Sequence, residues 1–168
     1  DPWAMEYNGR VYVYGTNDSQ QYEAAANADN NYSKIKSLNC YSSADMVNWT
    51  DHGTIAVSGN KGAAKWSANS WAPAVCHKKI NGKEKFFLYF ANNASSIGVL
   101  TADSPTGPWT DPIGKPIIDR SITGCAESEI GWLFDPAVLV DDDGTGYLYF
   151  GGIGNTDGKK EDFIRNPK

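Results

Sequence analysis

The sequence predicts an all-β chain built from repeated, blade-like units of a β-propeller. Three observations predict it. Short aromatic and β-branched runs follow turn pairs, no window holds a helical period with caps, and one segment plan recurs along the chain. The runs cover residues 10–14, 86–90 and 147–150, after Asn8-Gly9, Asn81-Gly82 and Asp143-Gly144 respectively. Such pairs mark tight hairpins, because glycine and asparagine accept the positive φ that these turns require. The patch Ala24-Ala25-Ala26 is too short for a helix and reads as part of a long loop.

The recurring plan starts at an x-Pro pair. Asp1-Pro2 leads to Asn8-Gly9 and a strand, Ala72-Pro73 to Asn81-Gly82 and a strand, and Asp135-Pro136 to Asp143-Gly144 and a strand. A second piece, 43–51, matches 101–111 with a short insertion, and both end in Trp-Thr-Asp. The repeat of about 60 to 70 residues is longer than the ~40–50 of common propeller repeats and reads as a four-stranded blade. Its first strand starts at the x-Pro pair and its last ends near the Trp-Thr. Blade I spans about 1–60, blade II about 66–120, and blade III starts at about 132. Closed propellers need at least about four blades. The chain thus supplies about the first two and a half to three, and its free edges need cover.

Composition excludes several classes. The net charge is −5 and the 15 basic residues are scattered, so there is no footprint for nucleic acid. No apolar run approaches the ~20 residues of a membrane helix. Aromatics make up 12% of the chain, with six Trp and nine Tyr. That excess suits stacking on the apolar faces of sugars, and equally the strand preference of aromatic residues. Cys40, Cys76 and Cys125 are odd in number and form no C-x-x-C pair, which predicts buried free thiols. No leader is visible at Asp1-Pro2, as in a mature secreted chain.

The innermost strands of a propeller line one axis, so equivalent positions of different blades converge. Those positions are Asp1, Ala72 and Asp135. Two carboxylates aimed at one funnel suit glycoside hydrolysis, where one group activates water and another protonates the leaving oxygen. Asp-Pro is also a common turn dipeptide in which the Asp bonds its own backbone, and the residues alone leave both readings open. Trp71, one place before Ala72, and Phe134, in the same phase before Asp135, are candidate walls of a sugar pocket or core aromatics between blades. Trp49 and Trp109 recur at the outer end of the blade and read as packing. Asp141-Asp142-Asp143-Gly144 lacks the alternating carboxylates of a calcium loop and reads as an acidic hairpin turn. Gly151-Gly152-Ile153-Gly154 lacks the third glycine and the helix of a dinucleotide site.

These motifs together resemble glycoside hydrolase family 43: Asp1-Pro2 with the strand at 10–14, Ser70-Trp71-Ala72-Pro73, Phe134-Asp135-Pro136, the acidic turn at 141–144 and Thr106-Gly107-Pro108-Trp109. The resemblance is closest to the arabinoxylan arabinofuranohydrolases and β-xylosidases. It implies a secreted, bacterial, five-bladed propeller that hydrolyses terminal α-L-arabinofuranosyl or β-D-xylosyl linkages of arabinoxylan with inversion. Asp1 then matches the general base and Asp135 the residue that tunes the general acid. The acid itself is a Glu of the fourth blade, outside this chain, and Glu127 and Glu129 are out of phase for it. No cofactor is implied beyond a structural calcium in the completed propeller. The implied partners are a pentose oligosaccharide and the remaining C-terminal blades, as a separate chain if cleavage falls in 157–162. Alone, the chain is expected to be inactive. The alternatives are a non-catalytic carbohydrate-binding propeller and an endo- or exo-arabinanase.

Overall fold

The computed structural model describes residues 1–24 and 32–152. The segment 157–162, where cleavage is expected from sequence, lies outside the described residues, as do Ala25 and Ala26. Three antiparallel sheets follow one another. The first orders β1 (Pro2–Tyr7), β2 (Arg10–Thr16), β3 (Ser37–Ser43) and β4 (Thr50–Ala56) side by side. The second holds β5 (Trp71–Ile80), β6 (Lys83–Asn92) and β7 (Ser96–Ala102), and the third β8 (Phe134–Val140) and β9 (Gly146–Gly151). A bridge between Thr101 and Thr110 adds the start of a fourth strand to the second sheet.

The turn residues account for the hairpins. Asn8 and Gly9 have φ of 51° and 71°, and Asn81 and Gly82 have 51° and 80°, the positive pair a two-residue hairpin needs. In the acidic turn, Asp141 N–H donates to the Thr145 carbonyl at 2.9 Å and Asp143 Oδ1 accepts from Thr145 N–H at 2.7 Å. The carboxylates there organise backbone.

Two details differ from the sequence reading. The outermost strand of blade I begins at the Trp-Thr pair, with β4 starting at Thr50. Residues 43–49 form the turn before it. Ser43 Oγ accepts from Asp45 and Met46 N–H, and Asp45 Oδ1 accepts from Val47 and Asn48 N–H. The Asn48 side-chain amide, which donates to Asp45 Oδ2 at 2.7 Å, and the Asn48 and Val47 N–H groups hold the Asp45 carboxyl far below its ordinary pKa. The connection after β2 also contains a helix, α1 (Ser19–Ala24). Beside it Gln20 Oε1 accepts from both Lys36 and Ser37 N–H, which ties this connection to the start of β3.

The main core is the seam between blades I and II. Met5, Tyr14, Leu38, Cys40 and Ile55 of the first sheet pack with Val75, Phe86, Leu88 and Leu100 of the second. Burying such side chains is the dominant favourable contribution to folding. Buried polar atoms cross the seam in pairs. Trp3 Nε1–H donates to the Val75 carbonyl at 2.8 Å, and Tyr14 O–H donates to the Pro105 carbonyl at 2.7 Å. Trp109 packs edge-on against Tyr14. Trp49, at the matching place in blade I, is 44% exposed. Packing at the repeated position thus appears only where a neighbouring blade is present to supply it. All three cysteines are free thiols, with Cys40 and Cys125 buried and Cys76 half-buried. Burial pushes the Cys40 thiol up to about 12 and Cys76 up to about 11, so neither ionises near neutral pH.

Candidate active site

β1, β5 and β8 are the first strands of their sheets, and β5 packs beside both of the others. Their entry residues Asp1, Ala72 and Asp135 therefore stand at equivalent places in successive sheets. A local device repeats there. From Trp71 to Ala74 β5 advances three residues, while its partner β6 advances two, from Ala91 to Tyr89. From Phe134 to Ala137 β8 likewise advances three against two on β9. Each is a β-bulge with one extra residue. Within the bulges Ala72 has φ of 40° and Asp135 has 51°, left-handed backbone at non-glycine residues that both precede proline. Bulges re-aim side chains, and such strain collects at functional positions.

Thr16 ties blade I to blade II at this point. Its Oγ1 accepts from the Asp1 α-ammonium at 3.5 Å and from the Ala72 N–H at 3.1 Å. Its own N–H donates to the Asp1 carbonyl at 3.4 Å. The sequence reading missed Thr16, although the hairpin could have found it. The Asn8-Gly9 turn pairs Tyr7 with Arg10, and stepping outward along the register puts Asp1 opposite Thr16.

Loss of water around the Asp135 carboxyl raises its pKa above the ordinary carboxylate value. A raised carboxyl pKa means that the folded state holds the proton to a higher pH than the unfolded chain does. The ionised Asp135 therefore costs stability, increasingly as pH rises through that window and fully above it. Asp135→Asn is expected to melt at a higher temperature than the parent at pH 7. The gap should close as pH falls toward the ordinary value of about 3.9. Thermal scans from pH 4 to 8 check this, and an Asn variant less stable than the parent at pH 7 would contradict it.

Aromatic residues stand beside both bulges. Trp71 is half-buried and its Nε1–H donates to the Tyr32 carbonyl at 3.0 Å. Phe134 is half-buried, with the 47% exposed Trp132 edge-on at 5.3 Å. The loop leading into Phe134 is held by Arg120. Its guanidinium donates to the carbonyls of Ala94 at 2.9 Å and Gly131 at 2.8 Å, and to those of Cys125 and Ile130. Glu127 and Glu129 are exposed on that loop. A separate cavity of about 220 Å³ lies at the outer seam, lined by Cys40, His52, Thr54 and Trp109 among others, away from the axial residues.

Successive antiparallel sheets whose first strands pack side by side define a propeller-type all-β chain. The family model for Glycosyl hydrolases family 43 matches residues 1–164, and the chain belongs to that family. It is 54% identical, over its full length, to an arabinoxylan arabinofuranohydrolase of Paenibacillus polymyxa, of which it covers 27%. It is 58% identical over 90% of its length to another from Bacillus subtilis (strain 168), covering 31% of that protein. Among solved structures, a family 43 arabinoxylan arabinofuranohydrolase from Bacillus subtilis in complex with cellotetraose superposes with a TM-score of 0.88 at 54% identity. That match covers 100% of this chain and 36% of the other. An α-L-arabinofuranosidase from Clostridium thermocellum gives 0.67 at 39% identity, over 92% of this chain and 47% of the other. The chain thus supplies an N-terminal part of a five-bladed β-propeller and spans about a third or less of these curated relatives.

Proposed function

We propose that this chain is the N-terminal portion of an exo-acting glycosidase that releases arabinofuranose from arabinoxylan by single-step inversion. Asp1 acts as the base on water, and Asp135 adjusts the pKa of the general acid, a Glu supplied by a later blade. The observation that supports the reading is the placement of Asp1 and Asp135 at the entry of β1 and β8, the first strands of their sheets, with β5 packed beside both. Identities of 54% and 58% to arabinoxylan arabinofuranohydrolases support arabinose over xylose as the released sugar. Hydrolysis of such a polymer fits an extracellular location, and no helix among the described residues is long and apolar enough to cross a membrane.

The test uses the complete protein on arabinoxylan, with released sugar identified by chromatography and its first-formed anomer by NMR. Free arabinose of inverted configuration is expected. Xylose as the main product would reassign the substrate, retention would reassign the mechanism, and oligosaccharide binding without any release would make the propeller a binding module.

A further inference from the structure

Tyr32 combines an exposed aromatic side chain with a locked backbone. The residue is 45% exposed. Its carbonyl nevertheless accepts from Trp71 Nε1–H at 3.0 Å and from Asn69 Nδ2–H at 3.2 Å. Asn69 is 4% exposed, and the same Nδ2 also reaches the carbonyls of Ser33 and Ile35, both at 3.0 Å. One buried amide therefore staples residues 32–35 to the strand that carries Ala72. Tyr32 itself has φ of 59°, a left-handed conformation that a bulky residue keeps only when its surroundings impose it. Its ring meets the Trp71 indole edge-to-face, with centroids 5.9 Å apart and planes at 66°.

The polar edge of Trp71 is thus occupied by the Tyr32 carbonyl, and the residue remains only half-buried. Together the two rings form an open corner beside the axial residue of blade II. A pre-ordered aromatic surface binds without paying the entropy of ordering, and aromatic walls with few polar groups characterise small-molecule sites.

Resting on the function proposed above, we infer that Tyr32 is a substrate-positioning residue. Its ring takes a sugar unit of the polysaccharide chain flanking the cleaved pentose. The placement argues for the flanking chain. Trp71 adjoins Ala72 in β5, whereas Tyr32 reaches that point only through its edge-to-face contact with Trp71 and is the more exposed of the two. A ring there meets substrate only when the substrate extends beyond the sugar being released.

The test compares two substrates in the complete enzyme: a feruloyl-free arabinoxylo-oligosaccharide, and an aryl α-L-arabinofuranoside that lacks the flanking xylose units. For Tyr32→Ala, KM on the oligosaccharide is expected to rise about tenfold, the scale of one aromatic contact, with kcat changed less than about twofold. The ratio of kcat/KM between oligosaccharide and aryl glycoside falls by the same factor. Tyr32→Phe keeps the ring and holds that ratio near the parent value. Every variant at 32 retains the carbonyl that Asn69 and Trp71 grip. An unchanged ratio in Tyr32→Ala, or equal losses on both substrates, would overturn the inference. Should the parent enzyme release no pentose, the function reading fails by itself. Titration calorimetry with the same oligosaccharide then decides on Tyr32 alone: a tenfold weaker Kd in Tyr32→Ala supports the contact, and an unchanged Kd removes it.

Discussion

Asp1→Asn in the complete enzyme is expected to lower kcat on arabinoxylan by about 10²–10⁴-fold, the usual contribution of a positioned base. Sugar affinity should change little. The amide matches the carboxylate in size but cannot take a proton from water. The backbone that positions the residue is left intact, since Thr16 N–H meets the Asp1 carbonyl and the register from Pro2 opposite Gly15 to Tyr7 opposite Arg10 is unaltered. Asp135→Asn should also slow turnover but by a different route. On the role proposed for it, the change removes a charge that tunes the proton donor, so the limb of the pH–rate profile governed by the acid should move while the limb governed by the base stays. The donor itself should stand ~6.5–9.5 Å from Asp1, the separation that leaves room for water in inverting enzymes. Steady-state rates from pH 4 to 9, with Kd from calorimetry, check both variants. An Asp1→Asn enzyme within a few fold of the parent rate would remove Asp1 from the role of base.

The parts legible in the sequence were those with a local cause. Asn8-Gly9 and Asn81-Gly82 announce positive φ, and the strands around them pair as a two-residue turn dictates. The phase of the x-Pro pairs was legible because it repeats, and it marked Asp1, Ala72 and Asp135 as equivalent. The bulge at that phase was not. A residue before proline favours extended backbone, so left-handed Ala72 and Asp135 run against the local rule, and only the surrounding sheet imposes them. The start of β4 at Thr50 was missed for a similar reason. The Ser43–Asp45 side chains build a turn where composition alone shows another polar stretch. Tyr32 was missed because its partners, Asn69 and Trp71, lie 37 and 39 positions away. Trp49, which the repeat equates with Trp109, is 44% exposed, whereas Trp109 packs against Tyr14 of blade I, because burial belongs to the neighbour as much as to the residue.

Tyr14 is where the largest loss of stability is expected. It is fully buried, belongs to the core that joins blades I and II, and bonds a main-chain carbonyl of the turn that carries Trp109. Burial raises its hydroxyl pKa well above the usual value, so it remains a neutral donor across the accessible pH range. Tyr14→Phe keeps the ring and leaves the Pro105 carbonyl without its donor, at a cost of about 1–3 kcal/mol if water cannot reach it. Tyr14→Ala also empties the volume of the ring beneath Trp109, and large-to-small changes of aromatic residues in cores cost about 3–5 kcal/mol. A typical domain has ~5–15 kcal/mol in total, so the alanine variant approaches the limit of folding while the phenylalanine variant stays within it. The seam also aligns the axis. Trp3 and Thr16 also bond from blade I to blade II, and Thr16 touches both Asp1 and Ala72. Loosening the seam should therefore lower kcat/KM in Tyr14→Ala even at temperatures where the variant remains folded, because the two axial positions lose their common anchor. Urea unfolding of both variants, with rates measured below each transition, separates the effects. A Tyr14→Ala enzyme that loses less than about 1 kcal/mol, far below the core range, would show that the seam is held elsewhere. One that loses stability but keeps full activity while folded would show that the seam does not align these two axial positions.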